Sequence, residues 1–209
     1  MDQVVPGKPD ALSSEPRRYE LFHRGQGRGL VWRFRDEGVV LTPAGIEWRT
    51  DGAARSMPYA EIESIRIESG HIPKSGYFGT CTIVGRGDRT IAVNSLNSWG
   101  TADPGRLADY ADFVQDLHAR LSDDDRRRIR FNAGMTEGRQ MFGKFAAILG
   151  GAFFLVLPVG LLIWTGEVKA LFLALAGAIF VIPAFRLLKK NEPRSYDPQR
   201  LDDDLFPHI

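Results

Sequence analysis

The side chains in this sequence best equipped for chemistry are cations and aromatics. Arg28, Arg33 and Arg35 cluster near the start of a sheet-like region. A guanidinium offers a rigid fork of donors to phosphate oxygens. Near a bilayer such a cluster would hold anionic headgroups at about 1 kcal/mol per cation. The competing reading is a solvated strand face, because Arg17 to Arg120 holds 14 basic and 13 acidic residues. A second candidate is the stretch His71-Ile72-Pro73-Lys74-Ser75-Gly76-Tyr77-Phe78-Gly79, which reads as a long loop. Loops carrying aromatics are frequent contact sites, so Lys74, Tyr77 and Phe78 are candidate ligand contacts, or else a cover for the open end of the core.

Other reactive residue types lack the company that catalysis needs. His23, His71, His118 and His208 show no metal-ligand spacing. Ser75 and Ser95 have no glycine elbow around them. Gly25-Gln26-Gly27-Arg28-Gly29 has the glycines of a phosphate loop without its Lys-Ser/Thr pair. Cys81 is the one cysteine, which excludes an intrachain disulfide and cannot build a metal site alone. The expectation is a protein without catalytic residues, cofactor or metal. The net charge of +1 argues against a nucleic-acid partner.

The elements that hold these residues alternate like strands. Val31 to Arg35 puts aromatics on one face and arginines on the other. Ile46 and Trp48 oppose Glu47 and Arg49; Ile65 and Ile67 oppose Arg66 and Glu68; Cys81 and Ile83 oppose Thr82 and Val84; Ile91 and Val93 follow Arg89 and Thr90. Turn signals fall at Asp36-Glu37-Gly38, Pro43-Ala44-Gly45, Asp51-Gly52, Ser69-Gly70 and Gly85 to Asp88. With Val39 to Thr42 and Ala54 to Met57, about seven strands in an antiparallel sheet are predicted. The period then changes. Leu107, Tyr110, Val114, Leu117 and Leu121 form a helical stripe with Phe113 beside it, and Asp103-Pro104 supplies the N-cap and first helical residue. That helix must bury its stripe on the sheet.

Val39 to Thr42 through Gly45 to Trp48, followed by Pro58-Tyr59-Ala60-Glu61-Ile62 and Ile65, is similar to bacterial pleckstrin-homology-like (PH-like) domains that precede or follow membrane spans. The resemblance covers about Arg28 to Leu121. It implies an α+β domain, a PH-like β-barrel or sandwich of about seven strands capped by one C-terminal helix. It also implies binding of lipid headgroups, peptides or other subunits. Arg28 with Arg33-Phe34-Arg35 resembles the basic pattern of headgroup-binding members, without their leading lysine.

After the domain comes a stretch of another kind. Phe145 to Gly166 contains no charged residue. About 20 apolar residues at roughly 1.5 Å each match a hydrocarbon core about 30 Å thick. A second run, Ala170 to Phe185, is uninterrupted for 16 residues and is extended by snorkelling Lys169 and Arg186. The two predict a transmembrane hairpin of helices at 145–164 and 168–188. Ala147 and Gly151 in one helix, and Ala170, Ala174 and Ala178 in the other, form rows suited to close packing within the hairpin or between copies in a homo-oligomer. Arg126, Arg127, Arg128, Arg130, Arg139 and Lys144 precede the first span; Arg186, Lys189, Lys190, Arg194 and Arg200 follow the second; Lys169 alone lies in the turn. This bias places both termini in the cytoplasm, with Arg126, Arg127, Arg128 and Arg130 meeting headgroups.

The expected organisation is a disordered lead-in (1–18) without a secretory signal, a cytoplasmic PH-like domain (19–121) and a basic juxtamembrane connector (122–144), helical from Ser122. The hairpin (145–188) and a disordered cytoplasmic tail (189–209) complete it. The chain reads as a multi-pass protein of the inner, cytoplasmic membrane whose partners are the lipid bilayer and a protein, acting as a non-catalytic binding or assembly module. The alternative is an accessory subunit of a membrane transport or enzyme complex, docked through the hairpin.

Overall fold

Period-two alternation produces strands wherever the sequence carries it. The computed structural model describes residues 15–25, 37–72, 74–87, 89–165, 179, 189 and 192–207. They form β1 (Arg17–Arg24), β2 (Glu37–Leu41), β3 (Gly45–Thr50), β4 (Ala53–Pro58), β5 (Ile62–Ile72), β6 (Gly76–Gly85) and β7 (Thr90–Asn94). Next come α1 (Gly105–Arg120), α2 (Asp123–Arg128), β8 (Arg130–Ala133), α3 (Glu137–Gly151), a π turn at Ala152–Val156, α4 (Leu157–Thr165) and β9 (Arg194–Ser195). The chain divides into two units, Met1–Asn132 with Ser195–Ile209, and Ala133–Arg194.

In the first unit the strand order is β4-β3-β2-β1-β7-β6-β5-β8-β9. The pairings among β1 to β4, among β5 to β7, and of β1 with β7 are antiparallel. This corrects the expected seven-strand PH-like barrel. The sheet has nine strands among the described residues, with β4 and β9 at its two ends. Two of the three additional strands, β8 and β9, come from segments too short to announce themselves. In β8, Phe131 and Ala133 point inward and Arg130 outward, but over four residues; β9 has two. β1 falls partly in the predicted lead-in, and the predicted strand Val31 to Arg35 lies outside the described residues.

Two turns show why local signals succeed or fail. Asp51 (φ 50°) and Gly52 (φ 79°) both adopt the left-handed region between paired Thr50 and Ala53, the two-residue hairpin that Asp-Gly favours. Ser69-Gly70, expected as a turn, lies inside β5. A Cβ on Gly70 would stand 2.6 Å from the Phe78 ring, its cross-strand partner, so this glycine makes room for an aromatic.

The core lies between the sheet and α1, which packs across β1 and β6. Leu21, Leu41, Ile46, Ile62, Ile65, Ile83 and Ile91 are fully buried, as are Tyr110, Phe113, Val114 and Leu117 of the predicted helical stripe. Each such side chain removed from water contributes about 1.5–3 kcal/mol. Asp103 Oδ1 accepts from Gly105 N at 3.1 Å, the expected cap one residue outside the assigned start. Tyr19 meets Phe113 edge to face at 5.4 Å, and its hydroxyl donates to Asp116, which also pairs with buried Arg120. These contacts fasten the helix to β1.

The C-terminal segment, expected as disordered, is part of this domain. Tyr196 N donates to Phe131 O at 3.4 Å, the Tyr196 ring packs on Phe131 and His118, and Leu205 is 3% exposed. The connector at 122–144 is likewise ordered as α2, β8 and the start of α3. Ser122 caps α2 as expected, accepting from Asp125 N at 3.1 Å.

The second unit carries one helical run, Glu137–Trp164, of 28 residues. Pro158 lacks the amide that would bond the Phe154 carbonyl, and the π turn immediately before α4 is where the ladder widens. The predicted two-helix transmembrane hairpin is corrected: among the described residues one helix is long and apolar enough to cross a membrane. Sixteen uninterrupted apolar residues fall short of a full span. Segment 168–188, with Ala170, Ala174 and Ala178, lies outside the described residues except for Ile179.

Candidate functional site

The β3–β4 hairpin and the β6–β7 turn converge on a cleft. Its described lining is Gly25 at the end of β1, Trp48 and Thr50 of β3, Ala54, Arg55 and Ser56 of β4, and Arg89 and Thr90 at the start of β7; its volume is about 440 Å³. This falls in the range of small-molecule sites. Strand alternation sets the lining: Trp48 pairs with Arg55 across the β3–β4 ladder, and Thr50 lies two residues along the same strand. Arg89 bridges the two sides. It donates to Ser56 O at 3.5 Å and Arg86 O at 3.4 Å, and forms an ion pair with Glu61.

The cleft's charge is therefore uneven. Arg89 is matched by Glu61, whereas exposed Arg55 has no ion-pair partner among the described residues. Thr50 Oγ1 is buried without a hydrogen-bond partner among them. A buried unsatisfied hydroxyl costs about 1–3 kcal/mol. The described lining holds guanidiniums and hydroxyls, with no carboxylate, imidazole or thiol. Such a donor set has the chemistry to accept an anion.

The sequence-derived candidates lie elsewhere. Arg28, Arg33 and Arg35 are outside the described residues. Lys74, Tyr77 and Phe78 belong to the β5–β6 hairpin, which is mostly strand rather than a long loop. The chain reverses between paired Ile72 and Gly76, with Ser75 N donating to Ile72 O at 3.0 Å and Lys74 at φ 68°. Tyr77 is 39% exposed beside His71, at 4.8 Å between ring centroids; Phe78 is half-buried over Gly70.

The arginines of α2 are engaged within the domain. Arg126, Arg127 and Arg128 pair with Asp123, Asp124 and Asp125 at 3.3, 2.6 and 2.8 Å. Arg128 also donates to the carbonyls of Tyr59 and Ile62, and Arg126 to that of His118. Arg130 is exposed on β8. Ala147 and Gly151 share one face of α3.

Two buried groups are chemically quiet. Burial pushes the Cys81 thiol up to about 12, which suppresses thiolate chemistry. His118 has its pKa lowered to about 4, chiefly by burial. Its Nδ1 donates to Val114 O at 2.7 Å, so Nε2 is the acceptor for the Tyr196 hydroxyl at 2.8 Å. Among the described residues no group of three or more His, Cys, Asp or Glu is placed to hold a metal ion.

Sequence reasoning missed the cleft because its parts, residues 25, 48–56 and 89–90, share no local pattern. The available signal was Arg55 on an exposed edge strand directly after the Asp-Gly turn. No family model matches this chain, and no curated protein matches it.

Proposed function

We propose that this protein is held in a lipid bilayer by its long apolar helix and presents the sheet domain as a non-catalytic binding module, with the cleft receiving an anionic group. One observation carries the reading. Over the apolar stretch of Glu137–Trp164, 7% of residues are buried, while Phe142, Phe145, Ile148, Leu149, Phe153, Val156, Ile163 and Trp164 are each at least 60% exposed. A helix about 42 Å long at 1.5 Å per residue, with apolar side chains on several faces, needs a nonaqueous surrounding.

Arg139 and Lys144 favour the cytoplasmic face of the inner membrane for the start of the helix. The cleft's arginine and hydroxyl lining suits a water-soluble phosphate ester or the carboxylate of a partner peptide.

Alkaline carbonate extraction tests the anchor. Retention of the full chain in the membrane pellet is expected, and release into the supernatant overturns the reading. The same exposed helix favours a second reading, an accessory subunit of a membrane transport or enzyme complex. Native size in mild detergent separates the two: a defined hetero-complex supports the subunit, a monomer or homo-oligomer the module.

A further inference from the structure

At the β5–β6 end of the sheet two loops are locked to each other. Ser75 Oγ accepts from Ala102 N at 3.0 Å, and Ala102 bridges Leu96. The second loop is rigid because Asn97 organises it. Its Oδ1 accepts from Trp99 N at 2.9 Å and Thr101 N at 3.2 Å, its Nδ2 donates to Thr101 Oγ1 at 2.6 Å, and Gly100 turns the chain at φ 74°. Residues 94–96 are in turn bonded to β6, Gly79 N donating to Ser95 Oγ at 2.9 Å. This framework holds Trp99 67% exposed, on the loop beside Lys74 and Tyr77.

The composition of the two loops is unlike the rest of the chain. Residues 71–79 and 94–102 contain one charged side chain, Lys74, in a protein where 25% of residues are charged. Tryptophan and tyrosine concentrate where one end of the ring is apolar and the other wet, at the level of lipid headgroups. Lysine beside them is drawn to anionic lipid. Size argues against a protein occupant: one Trp and one Tyr bury at most about 500 Å². A stable protein interface takes about 800 Å² from each partner.

We propose that the tip formed by Trp99, Tyr77 and Lys74 rests in the headgroup layer of an anionic bilayer, a second membrane contact of the domain in addition to the apolar helix. The rings lie at the acyl boundary and the Lys74 ammonium among the phosphates. The inference rests on the membrane anchor proposed above, and the test separates the two.

The full chain is reconstituted into vesicles of phosphatidylcholine and phosphatidylglycerol with a nitroxide on Ser98→Cys, Glu47→Cys or Ile148→Cys; Cys81 is fully buried and stays unlabelled. Collision with oxygen and with a water-soluble nickel chelate reports depth. The expected result is an oxygen-to-nickel ratio at residue 98 several-fold above that at residue 47, exposed on β3, and a higher one still at residue 148. Adding Trp99→Ala should return residue 98 to the value of residue 47. A lipid-exposed residue 148 with an aqueous residue 98 overturns the tip and leaves the anchor standing. Aqueous values at both positions overturn both. An immobile residue 98 protected from both reagents points to a protein partner and overturns the lipid assignment.

Discussion

Acidification should loosen the sheet domain through one residue, His118. Its ring is 2% exposed, packed against Phe131 at 5.6 Å and Tyr196 at 5.7 Å, and both nitrogens are committed. A proton on Nε2 would face the Tyr196 hydroxyl donor in a site where charge is poorly solvated, with the Arg126 guanidinium adding repulsion. The folded pKa is about 4 against an ordinary 6.5. Between these values the unfolded chain binds a proton that the folded one refuses, so stability rises with pH across the window and is lost as pH falls through it. At 1.36 kcal/mol per pH unit, the loss from pH 7 to pH 4 amounts to about 3 kcal/mol. Denaturant unfolding of the full chain in detergent, followed by circular dichroism at both pH values, measures it. Carboxylates held low by arginine or lysine, such as Glu20 and Glu192, also lose stabilisation on acidification, so the control is His118→Gln. Wild type should lose about 3 kcal/mol more than the variant. Equal losses, or a His118 ring that titrates near 6.5 by NMR, would refute the reasoning.

Two further outcomes follow from close contacts and from the cleft. Gly79→Ala places a Cβ 2.2 Å from Tyr110 Cε1, where both residues are buried, and should cost roughly 1–3 kcal/mol in denaturant midpoint; an unchanged midpoint would mean the helix is not seated there. Arg55→Glu should weaken glycerol phosphate binding, read as amide shifts at Thr50 and Ser56, at least tenfold, since a charge-assisted bond is worth about 1.5–3 kcal/mol. Unaltered binding would remove Arg55 from the site.

Local regularity made part of this architecture legible. Ile46 and Trp48, Ile65 and Ile67, and the stripe from Leu107 to Leu121 announced their buried faces, because strand and helix periods are properties of consecutive residues. Asp51-Gly52 and Ser122 announced a turn and a cap for the same reason. Distant partners stayed hidden. Gly70 looked like a turn until Phe78 was placed opposite it. Tyr196 gave no sign that His118, 78 residues earlier, would accept its hydroxyl. Residues 192–207 read as loose from their prolines and acidic run, whereas Leu205 and Tyr196 find a preformed surface to occupy. The cleft was illegible because it exists only after β4 approaches the β6–β7 turn.

The placement of β9 next to β8 also bears on how the molecule survives damage. A protease nick anywhere between Gly134 and Pro193 would yield two pieces, yet the smaller would stay clasped to the larger by its Tyr196 and Leu205 side chains. The two ends of the excursion are sewn together independently of the peptide chain that joins them.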